Sequence, residues 1–456
     1  MTLPIALLEK YSQPGPRYTS YPTAPYFTES FDEREWRDEL TLSQAAGRDL
    51  SLYVHIPFCD TLCYYCGCNM VATKDYRKAN RYLDYLFREI DLLADRAGQG
   101  RAVRQLHWGG GTPTYLHPDD IARLAQHLCS RFSFAPDIEA GCEVDPRELT
   151  QAHVGALRAA GFNRLSLGVQ DLDSDVQQAV NRVQSAALIR QVLGWMRAEG
   201  FSSINMDLMV GLPKQSVASF SHTLDQAIDM APDRLAVFGY AHVPWLKKHQ
   251  KLIQENDLPS FAVRLEMQLL MHDKLAQAGY VYIGMDHFAK PGDELVKAQQ
   301  KKTLYRNFQG YTTHKNCDIY AFGASAISQT DEVYAQNFKR LLDYESRVNA
   351  GHLPVERGLR ITRDDKIRRD AIAQVMCDLV LERQPFAQQW GIDFDRYFAA
   401  TLQSLKALEQ DGLVRTSAAR IEVTELGRYF LRNIAMCFDA YLAAADQEKP
   451  RYSRTI

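Results

Sequence analysis

Apolar and polar residues alternate with two periods between positions 51 and 240. Short apolar runs, SLYVHI (51–56), VRQLHW (103–108), IEAGCEV (138–144), RLSLGVQ (164–170), INMDLMV (204–210) and RLAVFGY (234–240), each end in a polar or glycine-rich turn. Between them lie stretches with helical spacing of apolar residues: RYLDYLFREIDLLADRA (81–97), DDIARLAQHLCSRF (119–132), AHVGALRAAG (152–161), ALIRQVLGWMRAEG (187–200) and SFSHTLDQAIDMA (219–231). Strand-length runs alternating with amphipathic helices predict a parallel sheet covered by helices. Six such units predict an α/β fold, an incomplete (β/α)6 TIM-like barrel, with a flat doubly wound sheet as the other arrangement. Both place ligand sites at the carboxyl ends of the strands.

Outside this stretch the pattern changes. Residues 1–45 lack clear periodicity, and PGPRYTSYPT reads as extended chain. After Tyr240, FAVRLEMQLLMHDKLAQAG (261–279) predicts an amphipathic helix and YVYIGMDHFA (280–289) a further strand. The C-terminal part is mostly helical, and residues 405–431 read as helix, hairpin, helix, a winged-helix-like order. The expected organisation is therefore an N-terminal arm over the active site (1–45), a barrel (46–290), a connecting segment that contributes to the site (291–360) and a helical, winged-helix-like C-terminal domain (361–456).

Composition narrows the function. The chain has 456 residues, 53 Lys+Arg against 56 Asp+Glu, and a net charge of −3. Residues 361–456 are electrically balanced, so the winged-helix-like tail carries no basic face for DNA. No nucleic-acid partner is expected. The N-terminal stretch has no basic segment followed by an apolar core, and no apolar run approaches the roughly 18 residues that span a bilayer. These features predict a cytoplasmic protein with no membrane partner and with reduced thiols.

Nine cysteines are present, and Cys129, Cys142, Cys317, Cys377 and Cys437 are scattered through apolar pattern as small buried hydrophobes. The other four crowd into CDTLCYYCGCN (59–69), directly after the first predicted strand. A disulfide conflicts with the reducing compartment. Zinc would want a second, separated ligand pair, and none follows. Unliganded thiols are a further alternative. The spacing Cys59-x3-Cys63-x2-Cys66 suits three thiolates on three irons of a cubane cluster, leaving one iron open for chemistry. Cys68 falls outside that spacing.

Other polar groups recur where ligands bind. WGGGTPT (108–114) follows the second strand; without a Walker Lys-Ser/Thr it is no nucleotide triphosphate loop, but its glycines allow close approach of backbone to a ligand. Glu143, Gln170 and Asp207 end successive strands, Ala241 follows the sixth, and Arg182 could meet a carboxylate.

The cysteine loop, its position after a strand and the following βα units resemble the radical S-adenosylmethionine enzymes. The resemblance implies that Cys59, Cys63 and Cys66 ligate a [4Fe-4S] cluster whose open iron takes S-adenosylmethionine. One electron then cleaves that cofactor to methionine and a 5′-deoxyadenosyl radical. GPRYTSYPTA (15–24), YVHIPFCDTLCYYCGCN (53–69), WGGGTPTYL (108–116), RLSLGVQDL (164–172), MDLMVGLPKQ (206–215), MDHFAKPGDEL (285–295) and YRNFQGYTTH (305–314) are similar to the oxygen-independent coproporphyrinogen III oxidase (dehydrogenase) family of bacterial haem synthesis, along essentially the whole chain.

That likeness implies oxidative decarboxylation of two propionates of coproporphyrinogen III to vinyl groups, giving protoporphyrinogen IX. It implies two S-adenosylmethionine molecules, an unidentified electron donor and acceptor, and a monomer. The first S-adenosylmethionine would touch Tyr53, Gly110, Glu143 and Ile327. The second would touch Tyr65, Gly111, Thr112, Gln170, Arg182, Asp207 and Ala241. No acid–base catalyst is assigned. Arg17 and Arg306 are candidate partners of substrate carboxylates. The alternative is a haem-binding chaperone of the same superfamily.

Overall fold

A computed structural model describes residues 5–443 and 452–455. The chain divides into two compact units, each assembled from separated segments: Phe27–Ser260 with Asn316–Arg360, and Met1–Tyr26 with Phe261–Lys315 and Ile361–Ile456.

The larger unit holds the repeating βα pattern. Its parallel strands are β1 (Leu50–Ile56), β2 (Ala102–Gly110), β3 (Ser133–Val144), β4 (Arg164–Gln170), β5 (Ser203–Val210) and β6 (Arg234–Gly239). Helices α1 (Arg77–Ala97), α2 (Pro118–Arg131), α3 (Gln151–Ala159), α4 (Ala186–Ala198) and α5 (Val217–Asp229) connect them. Thr150, Ser185 and Ser216 each accept a backbone N–H of the following helix and so fix where α3, α4 and α5 begin. The strands lie side by side in sequence order from β1 to β6, all parallel. A doubly wound sheet would reverse that order at a switch point. The sequential order is that of a barrel wall.

The barrel is incomplete because the other edge of β1 is taken by β7 (Asp318–Phe322), also parallel. An antiparallel run of β8 (Ile327–Gln329), β9 (Val333–Asn337) and β10 (Val355–Arg360) extends the sheet from there. The segment 291–360, expected as one connector, is thus divided at Lys315/Asn316, and its second half is part of this sheet. The reason is visible in DIYAF, all five residues of which are buried, as a strand covered on both faces of the sheet requires.

Strand alternation separates core from site. In β4 and β5, Leu165, Leu167, Val169, Ile204, Met206, Leu208 and Val210 are buried, while Ser166, Gly168, Gln170, Asn205 and Asp207 share the opposite face. Register aligns Glu143 with Ser166 and Ser166 with Asn205. A buried Arg101–Asp318 pair, joined by Ser43 and Tyr320, ties the amino ends of the strands together.

The smaller unit packs three segments around one apolar core. It contains a helix (Phe261–Gln277), a hairpin (Val281–Gly284 with His287–Ala289) and a second ribbon (Tyr305–Asn307 with Gly310–Thr312). Val414–Thr416 and Arg420–Val423 form the expected hairpin after the helix Ala399–Gln410, and Val380–Glu382 adds a third strand. Phe386, Phe394, Phe398 and Phe438 cluster beneath them. The first part of the arm is built into this unit: Tyr18 donates to Asp439 (2.9 Å), and the Arg432 guanidinium donates to the carbonyls of Gly15 and Pro16. All nine cysteines are free; of the five expected to be buried, Cys142 and Cys377 are, Cys317 and Cys437 are half-buried, and Cys129 is exposed. On α2 the inward stripe is Ile121, Leu124 and Leu128, which leaves Cys129 facing outward.

Candidate functional site

The cysteine loop closes one side of a cavity of about 240 Å³ at the carboxyl ends of the parallel strands. Cys59, Cys63, Cys66 and Cys68 line it together with Tyr65, Gly110, Gly111, Thr112, Glu143, Gln170, Arg182 and Asp207. The repeat brings these together because they lie in the carboxyl-terminal halves of successive strands or in the loops that follow them. Tyr53, Ala241 and Ile327, also expected at the site, are not on this wall. Tyr53 points along β1 and stacks on His107, with its hydroxyl 3.1 Å from His55. Ala241 adjoins the loop through Gln250, whose amide donates to the carbonyls of Tyr65 (2.9 Å) and Ala241 (3.3 Å). Ile327 begins β8, opposite Gln336.

The loop is held in place before any ligand is considered. Asn181 donates to the Leu62 carbonyl at 2.8 Å, and the Tyr64 N–H donates to Val180. Lys247, His249 and Gln250 bond the carbonyls of Cys68, Cys66 and Tyr65. A Cβ on Gly111 would come 3.0 Å from the Cys59 sulfur and 2.7 Å from the Phe58 carbonyl, so only bare backbone fits there. Gln170 adopts φ +69, a strained conformation for a residue with a side chain, at the site end of β4.

Each thiol has its own electrostatic setting. Two guanidiniums, Arg147 and Arg182, lie 3.4 Å from the Cys63 sulfur. Both also bond Asp145, and the pair holds that carboxyl down to about 2 against the opposing effect of burial. Hydrogen bonding from Cys68 draws the Cys66 thiol down to about 6. Burial pushes the Cys59 thiol up to about 12, although the Thr112 hydroxyl 3.4 Å away works against it.

The two carboxylates of the wall are tuned apart. Burial pushes Glu143 up, but the His107 ring at 3.5 Å and the Gly110 N–H at 3.3 Å more than offset it, and the group stays below its usual range. Asp207 is raised to about 6, chiefly by burial, even though Ser166 (2.8 Å) and Asn205 (2.7 Å) donate to it. Asp145, Arg147, His107, Ser166 and Asn205 were not singled out from sequence. Asp145 and Arg147 follow the end of β3, where a polar strand-end signal exists. The other three are inward members of strand alternation, which marks a face and not a role.

The smaller unit carries a second charged cluster. Arg17 is paired with Asp286, and His287, Arg432 and Arg306 also act on that one carboxylate. Arg306 lies over the Tyr311 ring, 5.0 Å from its centre, and its buried Nε and Nη1 have no hydrogen-bond partner. Gly284 leaves room for Tyr311, since a Cβ there would fall 2.6 Å from the phenol oxygen.

Residues 53–227 match the Radical SAM superfamily model and residues 361–430 match the HemN C-terminal domain. The oxygen-independent coproporphyrinogen III oxidase of Salmonella typhimurium is 49% identical over 456 residues, covering 99% of this chain and 98% of the relative. That of Helicobacter pylori strain 26695 is 41% identical, with 100% of both chains covered. The solved structure of coproporphyrinogen III oxidase (HemN) from Escherichia coli, described as a radical SAM enzyme, superimposes with a TM-score of 0.92 at 47% identity, covering 97% of this chain and 99% of that one. With full-length identity of this order and a cavity built around the cysteine loop, the chain belongs to the oxygen-independent coproporphyrinogen III oxidase family, within the radical SAM enzymes.

Proposed function

We propose that this enzyme converts two propionate side chains of coproporphyrinogen III to vinyl groups, releasing two carbon dioxide molecules and protoporphyrinogen IX. The observation that carries the proposal is the single cavity that gathers Cys59, Cys63 and Cys66 with Glu143, Gln170, Arg182 and Asp207. Its donor set suits a [4Fe-4S] cluster better than one ion. Among the described residues no three His, Cys, Asp or Glu side chains converge as ligands of a single metal, whereas a cubane spreads three thiolates over three irons. When bound, the cluster and S-adenosylmethionine supply one-electron cleavage of a C–S bond and the carbon radical that removes a propionate β-hydrogen.

The chain's own groups do the rest. Arg147 and Arg182 offset the thiolate charge at Cys63. Tyr65, Gly111, Thr112, Gln170, Arg182 and Asp207 hold one S-adenosylmethionine, with Ala241 at the edge of that set. Gly110 and Glu143, with Tyr53 and Ile327, hold the other. Glu143 and Asp207 accept hydrogen bonds from ribose hydroxyls or an amino group, each oriented by its own donors. Arg17 and Arg306 take substrate carboxylates, for which a planar guanidinium is suited. Among the described residues no helix is long and apolar enough to cross a membrane. The enzyme acts as a cytoplasmic monomer with a separate electron donor and acceptor.

The test is anaerobic. Protein reconstituted with iron and sulfide is reduced and given S-adenosylmethionine and coproporphyrinogen III. Protoporphyrinogen IX with two equivalents of 5′-deoxyadenosine is expected. Tight haem binding with no decarboxylation would move the chain to the haem-carrier class.

A further inference from the structure

Two buried guanidiniums reach the same sulfur, and their other commitments differ. Arg147 lies two residues after Asp145, in the turn that follows β3. It holds that carboxylate through Nε (3.0 Å), Nη2 (2.6 Å) and its own backbone N–H (3.1 Å). Its Nη1 donates to the Asn181 carbonyl at 3.5 Å, and Nη2 also donates to the Cys63 sulfur at 3.4 Å. Arg182 donates through Nη1 to Asp145 (2.9 Å) and to the Cys63 sulfur (3.4 Å), and through Nη2 to the Gly168 carbonyl. Its buried Nε has no hydrogen-bond partner. Arg182 thus keeps a charged donor for a ligand, whereas every nitrogen of Arg147 already meets a protein group.

The balance of charge sharpens the difference. Asp145 neutralises one of the two guanidiniums. The other positive charge is left facing the Cys63 sulfur, which as a metal ligand is a thiolate. Cys63 is also the buried member of the three predicted ligands, while Cys59 and Cys66 are half-buried. Their neighbours are neutral: the Thr112 hydroxyl lies 3.4 Å from the Cys59 sulfur, and the Cys68 backbone N–H donates to that of Cys66 at 3.4 Å. The side chains of Arg147, Asp145 and Arg182 are 13%, 11% and 7% exposed, so water screens this group of charges little. A charged N–H bonded to a ligand sulfur favours the more negative state of the metal group that the sulfur holds.

We propose that Arg147 raises the reduction potential of the cluster through its charged hydrogen bond to the Cys63 sulfur, while Arg182 serves the cofactor. The inference rests on the cluster reading above. Arg147 acts through the Cys63 sulfur, so it is a positioning residue and not a catalytic one. The couple takes one electron from the reductant, and no proton or atom is exchanged. The reduced state carries one more negative charge, which the guanidinium stabilises relative to the oxidised state. Without Arg147 the Asp145–Arg182 pair is neutral, the Cys63 sulfur loses its counter-charge, and the reduced state becomes harder to reach.

The experiment follows the reduced-cluster signal by electron paramagnetic resonance in the reconstituted full chain. Wild type, Arg147→Gln and Arg147→Lys are titrated anaerobically with dithionite and redox mediators, without S-adenosylmethionine or substrate. At the wild-type midpoint the ratio of reduced to oxidised cluster in Arg147→Gln should be about tenfold lower or less, a midpoint about 59 mV more negative. Arg147→Lys keeps the charge without the fork and should fall between the two. Iron is counted in the same samples. A residue that only braced the turn would lower the iron bound and leave the midpoint of the remaining cluster where it was. Equal midpoints in wild type and Arg147→Gln would therefore overturn the proposal at any iron content, and so would a midpoint in Arg147→Lys below that of Arg147→Gln. Wild type carrying arginine labelled in its guanidino nitrogens covers the case of an Arg147→Gln protein too poor in iron to titrate. Its reduced cluster should show weak nitrogen couplings in pulsed resonance, part of which Arg147→Lys should lose. Absence of these couplings in wild type, or their full retention in Arg147→Lys, would overturn the proposal. A wild type that develops no reduced-cluster signal with dithionite would sink the cluster reading itself.

Discussion

Two guanidinium clusters, one in each unit, look alike in composition and differ in what balances them. In the larger unit Arg147 and Arg182 share Asp145, and their remaining positive charge meets the Cys63 sulfur, 3.4 Å from each. In the smaller unit Arg17, Arg306 and Arg432 all act on the one carboxylate of Asp286, and Arg306 keeps two buried N–H groups with no partner. A buried, unpaired donor on a charged group is costly, and such a group is retained where something else completes it. The first cluster is completed from within, by the Cys63 sulfur. The second has no such internal partner at Arg306, and the proposed substrate carboxylates would complete it. Arg432 differs from Arg306: burial, with the nearby charge of Arg17, pulls its pKa down to about 10, and its N–H groups are spent on the carbonyls of Gly15, Pro16 and Arg454.

The largest effect should come from removing the internal anion. Cys63→Ser should abolish iron binding and S-adenosylmethionine cleavage while the far-ultraviolet circular dichroism is unchanged, since the Asp145 pairs remain to fix the loop's surroundings. Retained iron and activity in that variant would remove Cys63 from the ligand set. Arg306→Gln comes next. The proposed charge-assisted contact to a substrate carboxylate, about 1.5–3 kcal/mol, would be lost, so the KM for coproporphyrinogen III should rise roughly 10- to 100-fold with kcat largely kept. An unchanged KM would make the smaller unit's cluster structural.

The smallest effect concerns Asp207, whose carboxyl is raised to about 6 by burial, with the charge of Glu143 adding to the shift. It is neutral below that pH and anionic above it. The cationic S-adenosylmethionine should therefore bind more tightly as pH rises from roughly 5 to 7, by up to about tenfold, and Asp207→Asn should flatten the profile. Stability runs the other way. A carboxyl whose folded pKa is raised is stabilising while protonated, and that contribution is lost as pH rises through 6. Asp207→Asn should remove a loss of up to about 2 kcal/mol, visible as a smaller change in urea midpoint between acid and neutral pH. Parallel pH profiles in the two proteins would take Asp207 out of the site. Asp207→Ala, in turn, should keep the cluster and weaken cofactor binding.

The same two regions differ in how much of them could be read from sequence. In the larger unit the strands were placed within a few residues, because each apolar run is a buried strand with a helix behind it. Glu143 and Gln170 were found because a strand end is a position that sequence marks; Asp207 was read as a strand end too, but the strand runs on to Val210. Asp145 and Arg147 were missed although they follow a strand end, and His107 was missed because its pairing with Glu143 on the next strand is a matter of register. The smaller unit was far less legible. Its core joins Tyr11 and Tyr18 of the arm to Phe430 and Asp439, some 400 residues away, and no local period encodes such contacts. Arg17 and Arg306 could be named only through the chemistry expected of the substrate. That both act on Asp286 had no counterpart in the sequence pattern.

The most direct measurement titrates coproporphyrinogen III against wild type and Arg306→Gln in one anaerobic assay, counting protoporphyrinogen IX and 5′-deoxyadenosine in the same samples. Wild type should give two 5′-deoxyadenosine per product, and Arg306→Gln should reach the same ratio at far higher substrate concentration. A variant that saturates like wild type, or a wild type that cleaves S-adenosylmethionine without forming vinyl groups, would contradict the division of labour between the two clusters.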